Sequence, residues 1–260
     1  AAVIATAVGG SEADFIKLMN DKVRELGLKD THYVNPHGLH DDNHYSSAYD
    51  LAMITREALT YEEFRKMIIT DRHILPWPGH EYSRVVHNRN NLLDTFDGAD
   101  GVKTGYTSQA GSCLVGSATR NGMQLIAVVL HSNGMYDDTA KLLEYGFGNY
   151  EAQQLISKGK VFGKVPVEFG KTSEVRAVAA RGLSTAMGKT ERDKVEQRID
   201  LPAKVQAPIE KGQNLGTVTV KIGTDTFMRV DLVAGESVKN SSFLAALWET
   251  VQSVVQFFLA

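Results

Sequence analysis

The sequence has 260 residues, with 28 Lys and Arg against 31 Asp and Glu and a formal net charge of −3 at pH 7. This length suffices for one large domain or two small ones with a substantial core, and the charge balance lacks the basic footprint of a nucleic-acid-binding protein. Cys113 is the only cysteine, which excludes an internal disulfide and indicates a small buried strand residue rather than a nucleophile.

The first part of the chain predicts helices that are separated by polar loops. Residues 1–8 have the composition of a helix interior, and Ser11 begins a second helix in which apolar residues recur every three or four positions. Two further helices are predicted over residues 47–60 and 61–69. Residues 74–79 are rich in proline and glycine and predict a turn or an extended segment.

The polar loop over residues 30–44 concentrates side chains that can bind metals. Imidazoles and carboxylates are common zinc ligands, but their spacing here matches no standard metal site. We therefore predict a hydrogen-bonded loop without a metal. The residues concerned are His32, His37, His40, His44, Asp41 and Asp42.

The middle of the chain predicts three consecutive antiparallel strands. The first contains residues 101–106, and the second is the small, apolar run over residues 113–119. Asn121-Gly122 is the strongest short hairpin signal, because a type I′ turn needs positive φ at both central residues. Residues 123–130 are the returning strand.

Lys103, Thr104 and Gly105 lie on the first of these strands. Because side chains alternate along a strand, Lys103 and Gly105 share one face and Thr104 points to the other. If this strand is at the edge of the sheet, its free N–H and C=O groups can pair with an extended peptide.

The second half of the chain changes in character. A helix capped by Asp137 is predicted over residues 137–145, and it packs on the sheet in an α+β domain. From about residue 158, short β-type runs alternate with turns and predict a small all-β domain. Its strands are predicted over residues 164–169, 174–179, 195–201, 215–222 and 226–233.

The end of the chain is amphipathic. Apolar residues recur at helical spacing over residues 243–259, opposite a polar face. That polar face argues against a membrane-spanning helix, which needs about 20 mostly apolar residues, and favours a helix lying in the membrane interface. A helix docked on the protein's own core, or an oligomer contact, is the alternative. We predict a membrane-anchor helix over residues 241–260.

Several motifs in order resemble those of the penicillin-binding, serine-type D-alanyl-D-alanine carboxypeptidases, the low-molecular-mass penicillin-binding proteins of bacterial cell-wall maturation. The stretch 100–107, followed by Ala110-Gly111 and the hairpin, is similar to their third active-site motif. The further matches are residues 35–39, 45–52, 88–90 and 141–147. The resemblance implies part of a penicillin-binding/β-lactamase-like transpeptidase domain over residues 1–157, then the all-β domain over 158–240 and the anchor helix.

The resemblance also implies a reaction and a location. Enzymes of this family remove the terminal D-Ala from peptidoglycan pentapeptide stems through an acyl-enzyme and bind β-lactams. Their Ser-x-x-Lys and Ser-x-Asn motifs would lie upstream of Ala1, so we expect this chain to be a fragment or processed product that is inactive alone. Residues 157–160 fit the letters Ser-x-x-Lys but lie at the domain boundary, and we interpret this as coincidence. The expected location is the extracytoplasmic face of the bacterial membrane, with no cofactor.

By resemblance, the third motif supplies one wall of the site. Lys103 would place positive charge near the substrate carboxylate and assist proton transfer, and the Thr104 hydroxyl would donate to that carboxylate. Gly105 would let the substrate backbone approach, and the backbone N–H of Tyr106 would be the second oxyanion-hole donor. Thr107 is also expected to bind substrate.

One position departs from the family pattern. Many relatives carry an arginine shortly before the last helix of the catalytic domain, where this sequence has Met135. Carboxylate binding is therefore expected to depend on Lys103 and Thr104, or to be weaker. Two alternatives remain open: a class A β-lactamase, which lacks a following β domain and tail, and a non-catalytic envelope protein whose β domain is a spacer or contact module.

Overall fold

The computed structural model describes residues 1–223, 225–241 and Leu247. They fall into two compact units, of which the first is Ala1–Asn149 and the second begins at Tyr150. The sequence analysis divides the chain later, between residues 157 and 158. Residues 150–156 belong to the second unit because they form a strand that pairs within it. Apart from Ser241 and Leu247, the predicted anchor helix lies outside the described residues.

The helices of the first unit form close to their predicted positions. Ser11 and Ser47 cap two of them, since each hydroxyl accepts a hydrogen bond from the backbone N–H three residues later. Gly27 follows the second helix with a φ of 71°, a left-handed conformation that suits glycine. The helices are α1 (Ala2–Gly9), α2 (Glu12–Glu25), α3 (Ala48–Ala58), α4 (Glu62–Ile69), α5 (Leu92–Thr95) and α6 (Met135–Asn149).

The predicted three-stranded meander is confirmed. Its strands are β3 (Ala99–Thr107), β4 (Gly111–Arg120) and β5 (Met123–Val129), and they pair antiparallel in that order. The hairpin between β4 and β5 has φ of 51° at Asn121 and 77° at Gly122, as a type I′ turn requires. A separate two-stranded ribbon, β1 (Arg72–Leu75) with β2 (Arg84–His87), precedes the sheet.

Helix α6 packs on the meander, although it begins earlier than predicted. It starts at Met135, so Asp137 lies in its first turn and not at its cap. The Ser132 hydroxyl accepts a hydrogen bond from the Gly134 N–H at 3.0 Å and donates to Asp138 at 2.6 Å, and thereby orders the approach to the helix. Buried side chains from helices and strands form the core of this unit: Leu92, Phe96, Ala118, Ala127 and Leu143.

The second unit is built from strands, as predicted. Its six-stranded sheet has the order β10-β12-β13-β8-β7-β11, and β6 pairs with β9 alone. The α+β class, with a following β domain, is therefore confirmed. The strands are β6 (Tyr150–Ile156), β7 (Val161–Glu168), β8 (Glu174–Ala179), β9 (Leu183–Gly188), β10 (Val195–Asp200), β11 (Val205–Gln206), β12 (Asn214–Ile222) and β13 (Asp225–Ala234).

Alternating apolar side chains fill the core of the second unit. Val175, Ala177 and Ala179 point inward from β8, while the residues between them are more exposed. Residues 157–160, which carry the letters Ser-x-x-Lys, form a turn between β6 and β7, where the Lys160 N–H donates to the Ser157 carbonyl at 3.1 Å. Within the described ranges, no helix has the length and apolar character needed to cross a membrane.

Candidate active site

Strand β3 lies at the edge of its sheet and, within the described residues, pairs only with β4. Its side chains are accessible along the motif: Lys103 and Gly105 are exposed, Thr104 is half-buried, and Tyr106 is 72% exposed. The outer edge of β3 therefore leaves backbone N–H and C=O groups free to pair with an extended ligand.

A groove of about 670 Å³ runs beside this edge. It brings together every residue that the sequence analysis assigned to the site, from Lys103 to Thr107, with the neighbouring β4 residue Ser112. Its lining is completed by the loop at residues 37–39, by Arg89, and by Met135 and Tyr136 at the start of α6. Three of the matched motifs, residues 35–39, 88–90 and 100–107, thus converge on one concave surface.

Lys103 also borders a second hollow, of about 330 Å³, on the side of α3. In the β3–β4 register Lys103 is opposite Val115 and Gly105 is opposite Cys113, so these four share a face. Apolar residues of α3, including Leu51 and Ile54, line the hollow, with Val115 and Cys113 across from them. Cys113 is partly buried beside backbone carbonyls, consistent with the structural role predicted for it.

The two cations of the groove are available to an anionic ligand. The Lys103 ammonium donates to the carbonyl of Thr104, and no carboxylate within the described residues pairs with it. Arg89 is exposed, and its side chain likewise has no partner in the part of the chain that the structure describes. A carboxylate entering the groove would therefore meet positive charge from two segments.

Arg89 is held in place by its two neighbouring asparagines. The Asn88 side-chain amide donates to the carbonyls of Ile68 at 3.0 Å and Thr70 at 3.3 Å, and its oxygen accepts from the Asn90 N–H at 3.0 Å. The Arg89 carbonyl accepts from the Tyr136 hydroxyl at 2.9 Å. The sequence analysis matched this Asn-Arg-Asn motif but assigned Arg89 no role; its position between two hydrogen-bonding asparagines was the available signal.

Thr107 has a local structural contact. Its hydroxyl oxygen accepts a hydrogen bond from the Ala110 N–H at 2.9 Å, which closes the turn from β3 into β4. The hydroxyl proton of Thr107 remains able to donate to a ligand in the groove. The side chain thus lies in the predicted site and also stabilises the turn at its end.

Asp100 fixes the start of β3, a role that no sequence pattern indicated. It is the extra residue of a bulge, since Ala99 pairs with Ala118 and Gly101 already pairs with Ser117. Its carboxylate accepts hydrogen bonds from the hydroxyl of Ser117, from that of Thr119 at 2.6 Å and from the Gln124 amide at 2.8 Å. One side chain thus connects all three strands just before Lys103.

The histidines of the polar loop act as separate hydrogen-bonding groups. His37 Nδ1 accepts from the Leu39 N–H at 3.2 Å, His32 Nδ1 contacts the Asn43 carbonyl at 2.7 Å, and His44 Nδ1 accepts from the Val34 N–H at 3.1 Å. In residues 1–223 and 225–241, no group of three or more His, Cys, Asp or Glu side chains is placed to hold a metal ion. The loop presents residues 37–39 to the groove through these local bonds.

Comparison with known proteins places the chain in a family. Residues 1–134 match the family model described as D-alanyl-D-alanine carboxypeptidase, and residues 150–240 match the C-terminal domain of penicillin-binding protein 5. The chain therefore belongs to the Peptidase S11 family of D-alanyl-D-alanine carboxypeptidases. The expected resemblance to low-molecular-mass penicillin-binding proteins is confirmed.

Individual relatives match along nearly the whole chain. The D-alanyl-D-alanine carboxypeptidase DacF of Bacillus subtilis is 35% identical over 98% of this chain and 66% of its own length. DacA of Haemophilus influenzae is 32% identical over 95% of this chain and 63% of its own. A crystal structure of penicillin-binding protein 5 from Haemophilus influenzae superposes with a TM-score of 0.67 at 32% identity, covering 92% of this chain and 70% of that one. The chain thus spans slightly under two thirds of the curated relatives it matches.

Proposed function

We propose that this chain is the C-terminal part of a serine-type D-alanyl-D-alanine carboxypeptidase, which trims the terminal D-Ala from peptidoglycan pentapeptide stems through an acyl-enzyme. The observation that carries the proposal is the open edge of β3, with Lys103 and Thr104 on the rim of a groove. In this proposal residues 1–149 contribute one wall of the catalytic domain. The all-β unit that follows matches the C-terminal domain of penicillin-binding protein 5.

The substrate would lie extended along β3. Its backbone would pair with the free edge of the strand, while its terminal carboxylate would bind the Lys103 ammonium and the Thr104 hydroxyl. Arg89 adds a second cation to the groove, which carries Met135 where the family resemblance predicts an arginine. We assign carboxylate recognition to Lys103 and Thr104, and Arg89 adds to the positive electrostatic potential of the groove.

Gly105 supports this binding mode because no contact among the described residues requires a glycine there. A Cβ built on Gly105 would meet no atom within 4 Å. It would instead project from an exposed position that borders the groove. The missing side chain therefore leaves room for a ligand backbone to approach the strand. The adjacent Tyr106 N–H would then serve as an oxyanion donor for the acyl carbonyl.

Lys103 would act on the chemistry through its charge. A positive charge in the cleft stabilises the negative charge that develops on acylation, and an ammonium can relay a proton to the leaving amine. The nucleophile is proposed to be supplied by polypeptide other than these residues. Ser112 lines the groove, but the Lys103 ammonium donates to a backbone carbonyl and not to that hydroxyl. The same groove would accept the carboxylate of a β-lactam.

Fluorescent penicillin tests this proposal directly. The chain of residues 1–260 alone is expected to remain unlabelled, because a serine hydroxyl needs a neighbouring base before it attacks. A longer product, in which an upstream segment that carries Ser-x-x-Lys and Ser-x-Asn precedes this chain, is expected to be labelled covalently and to release D-Ala from a pentapeptide. Absence of both activities in the longer product would overturn the proposal, and labelling of the chain alone would refute the assignment of its nucleophile.

We also propose a peripheral location on the extracytoplasmic face of the bacterial membrane, with attachment through residues 243–259. The support is the amphipathic pattern of that segment, which has apolar residues at helical spacing and a polar face. Binding of the chain to lipid vesicles, compared with a variant that ends at Ser241, is the measurement. Equal binding by the two proteins would contradict attachment through this segment.

A further inference from the structure

An aromatic side chain projects into solvent at the end of β7. Phe169 is 53% exposed and has a φ of 60°, a left-handed conformation that bulky residues rarely adopt. The next residue, Gly170, is tightly enclosed, because a Cβ there would lie 2.8 Å from the carbonyl oxygen of Thr172 and from a methyl group of Val238. The fold therefore holds this loop, residues 169–173, in a defined shape that presents the Phe169 ring to solvent.

The Phe169 loop is bonded to the segment that leads into the amphipathic tail. The Ser241 N–H donates to the Phe169 carbonyl at 2.8 Å, and the Lys171 N–H donates to the Lys239 carbonyl at 2.8 Å. Between these bonds, Gly170 and Asn240 form an antiparallel bridge. The exposed ring is therefore fixed beside the point at which the predicted membrane-binding sequence begins.

Two positive charges lie on the segments that these backbone hydrogen bonds join, residues 169–171 and 239–241, which we call the clamp. Lys171 and Lys239 are both exposed, and neither has an ion-pair partner among residues 1–223 and 225–241. The nearby Lys204 differs, since it pairs with Glu168 at 2.6 Å. An aromatic ring flanked by free ammonium groups is complementary to an anionic bilayer, in which the ring enters the interface and the cations meet the headgroups.

We propose that Phe169, Lys171 and Lys239 form a second membrane contact that binds the surface of an anionic lipid bilayer beside the amphipathic tail. This inference rests on the proposed peripheral location. Two adjacent contacts would fix the face that the second unit turns to the lipid, because the backbone hydrogen bonds of the clamp hold Phe169 beside Ser241, the residue that leads into the tail.

Vesicle partitioning of the full chain tests the proposal. Phe169→Asn removes the ring and suits the left-handed backbone, so that folding is preserved. We expect this change to lower the partition coefficient by about threefold to tenfold, through the loss of apolar burial. Lys171→Gln and Lys239→Gln are each expected to lower it by about fivefold on vesicles that contain phosphatidylglycerol. On pure phosphatidylcholine, the lysine variants should bind like the parent.

Matched control substitutions lie at the opposite edge strand of the same sheet. Ile199 on β10 is 45% exposed, close to the exposure of Phe169, and Ile199→Asn removes a similar apolar surface. Lys194→Gln, at the residue just before β10, and Arg198→Gln on that strand together remove two exposed charges. These controls should bind like the parent chain, and circular dichroism should show all variants folded.

The outcomes separate this inference from the proposed location. Parent binding with reduced binding of the Phe169 and lysine variants supports the second contact. The second contact is overturned if the Phe169 and lysine variants bind as well as the parent chain, or if the β10 controls lose binding to the same extent. Either result leaves the tail attachment intact. Failure of the parent chain to bind any vesicle overturns the peripheral location together with this inference.

Discussion

The carboxylate of Asp100 on β3 accepts a hydrogen bond of 2.6 Å from the hydroxyl of Thr119 on β4. The same carboxylate also binds the hydroxyl of Ser117, which is 0% exposed. Because Asp100 is the bulged residue, these bonds determine where regular pairing resumes, two positions before Lys103 reaches its partner on β4. The register of the candidate site is therefore set by a residue outside the groove.

Replacing Asp100 by alanine should destabilise the first unit. Ser117 would be left as a buried hydroxyl without an acceptor, which costs about 1–3 kcal/mol in the free energy of unfolding. Urea denaturation is the measurement. Asp97→Ala is the control, because that exposed carboxylate lies 3.5 Å from Arg120 in a surface pair that contributes about 0–1 kcal/mol. Equal losses in the two variants would contradict the register role of Asp100.

Replacement by alanine should destabilise the fold at one of two glycines on neighbouring strands and leave its stability nearly unchanged at the other. A Cβ on Gly116 would lie 2.5 Å from Thr139 Cγ2 and 2.8 Å from Leu92 Cδ2, whereas one on Gly105 would meet nothing within 4 Å. We therefore expect Gly116→Ala to cost about 1–3 kcal/mol of stability through overpacking. Gly105→Ala should change the stability by less than about 0.5 kcal/mol.

Gly105→Ala should weaken ligand binding although it leaves the stability nearly unchanged. Alanine at position 105 narrows the groove where a ligand backbone would approach, so penicillin labelling of the chain extended upstream with Ser-x-x-Lys and Ser-x-Asn should fall while its folding is retained. Labelling and denaturation curves of the same variant provide the measurement. Labelling that stays at the parent level would mean that no ligand backbone approaches this position.

The sequence predicted the elements in which local chemistry and periodicity agree. The meander was predictable because Asn121-Gly122 specifies its turn, and the second helix because Ser11 caps it. Strands β6, β9 and β11 were missed for physical reasons. The first has three polar residues, Glu151, Gln153 and Gln154, within its seven positions, the second lacks strict alternation, and the third is only two residues long. Pairing partners distant in the chain, and not local propensity, make these segments strands.

The candidate site was predictable only in part. Lys103 and its neighbours were found because they are contiguous in the sequence, and an edge strand exposes them together. Arg89 and Asp100 were assigned no roles, since their significance depends on hydrogen bonds across the fold. Asn88 reaches the carbonyl of Ile68, and Asp100 reaches Gln124 two strands away. No spacing rule encodes such contacts.

The loop beside the groove should be sensitive to pH through His44. Burial lowers the pKa of His44 below the ordinary histidine value of 6.5, against the opposing effect of Asp41. A lowered folded-state pKa means that the unfolded chain binds the proton more readily. The contribution of His44 to stability is therefore fully present above pH 6.5 and is lost as the pH falls towards the folded-state pKa.

The hydrogen bond of His44 also favours the neutral imidazole and so lowers its pKa. Nδ1 of His44 accepts from the Val34 N–H at 3.1 Å, and a protonated nitrogen cannot accept. An NMR titration of the His44 ring should therefore give a pKa under 6.5, and His44→Ala should flatten the pH dependence of stability over this range. A measured pKa at or above 6.5 would contradict the burial of this imidazole.

The positive charges of the groove should control acylation and leave folding unchanged. Lys103→Gln in the chain extended upstream with Ser-x-x-Lys and Ser-x-Asn should lower the second-order rate of acylation by penicillin by about tenfold to a hundredfold, which corresponds to a lost charged hydrogen bond. Arg89→Gln should lower it by about fivefold or less, because an exposed charge is well screened. Both variants should denature like the parent, since both side chains are exposed and neither has a carboxylate partner among the described residues.

Arg84→Gln is the matched control for these charge changes. The Arg84 guanidinium on β2 lies 3.9 Å from the centroid of the Trp77 ring in the loop between β1 and β2, and Arg84 does not line the groove. Its removal takes the same charge from the same unit and should leave the acylation rate unchanged. If Arg84→Gln slows acylation as much as Lys103→Gln, the effect reflects net charge and not carboxylate recognition in the groove. If neither groove variant slows acylation, the carboxylate binds elsewhere and β3 serves only as a pairing edge.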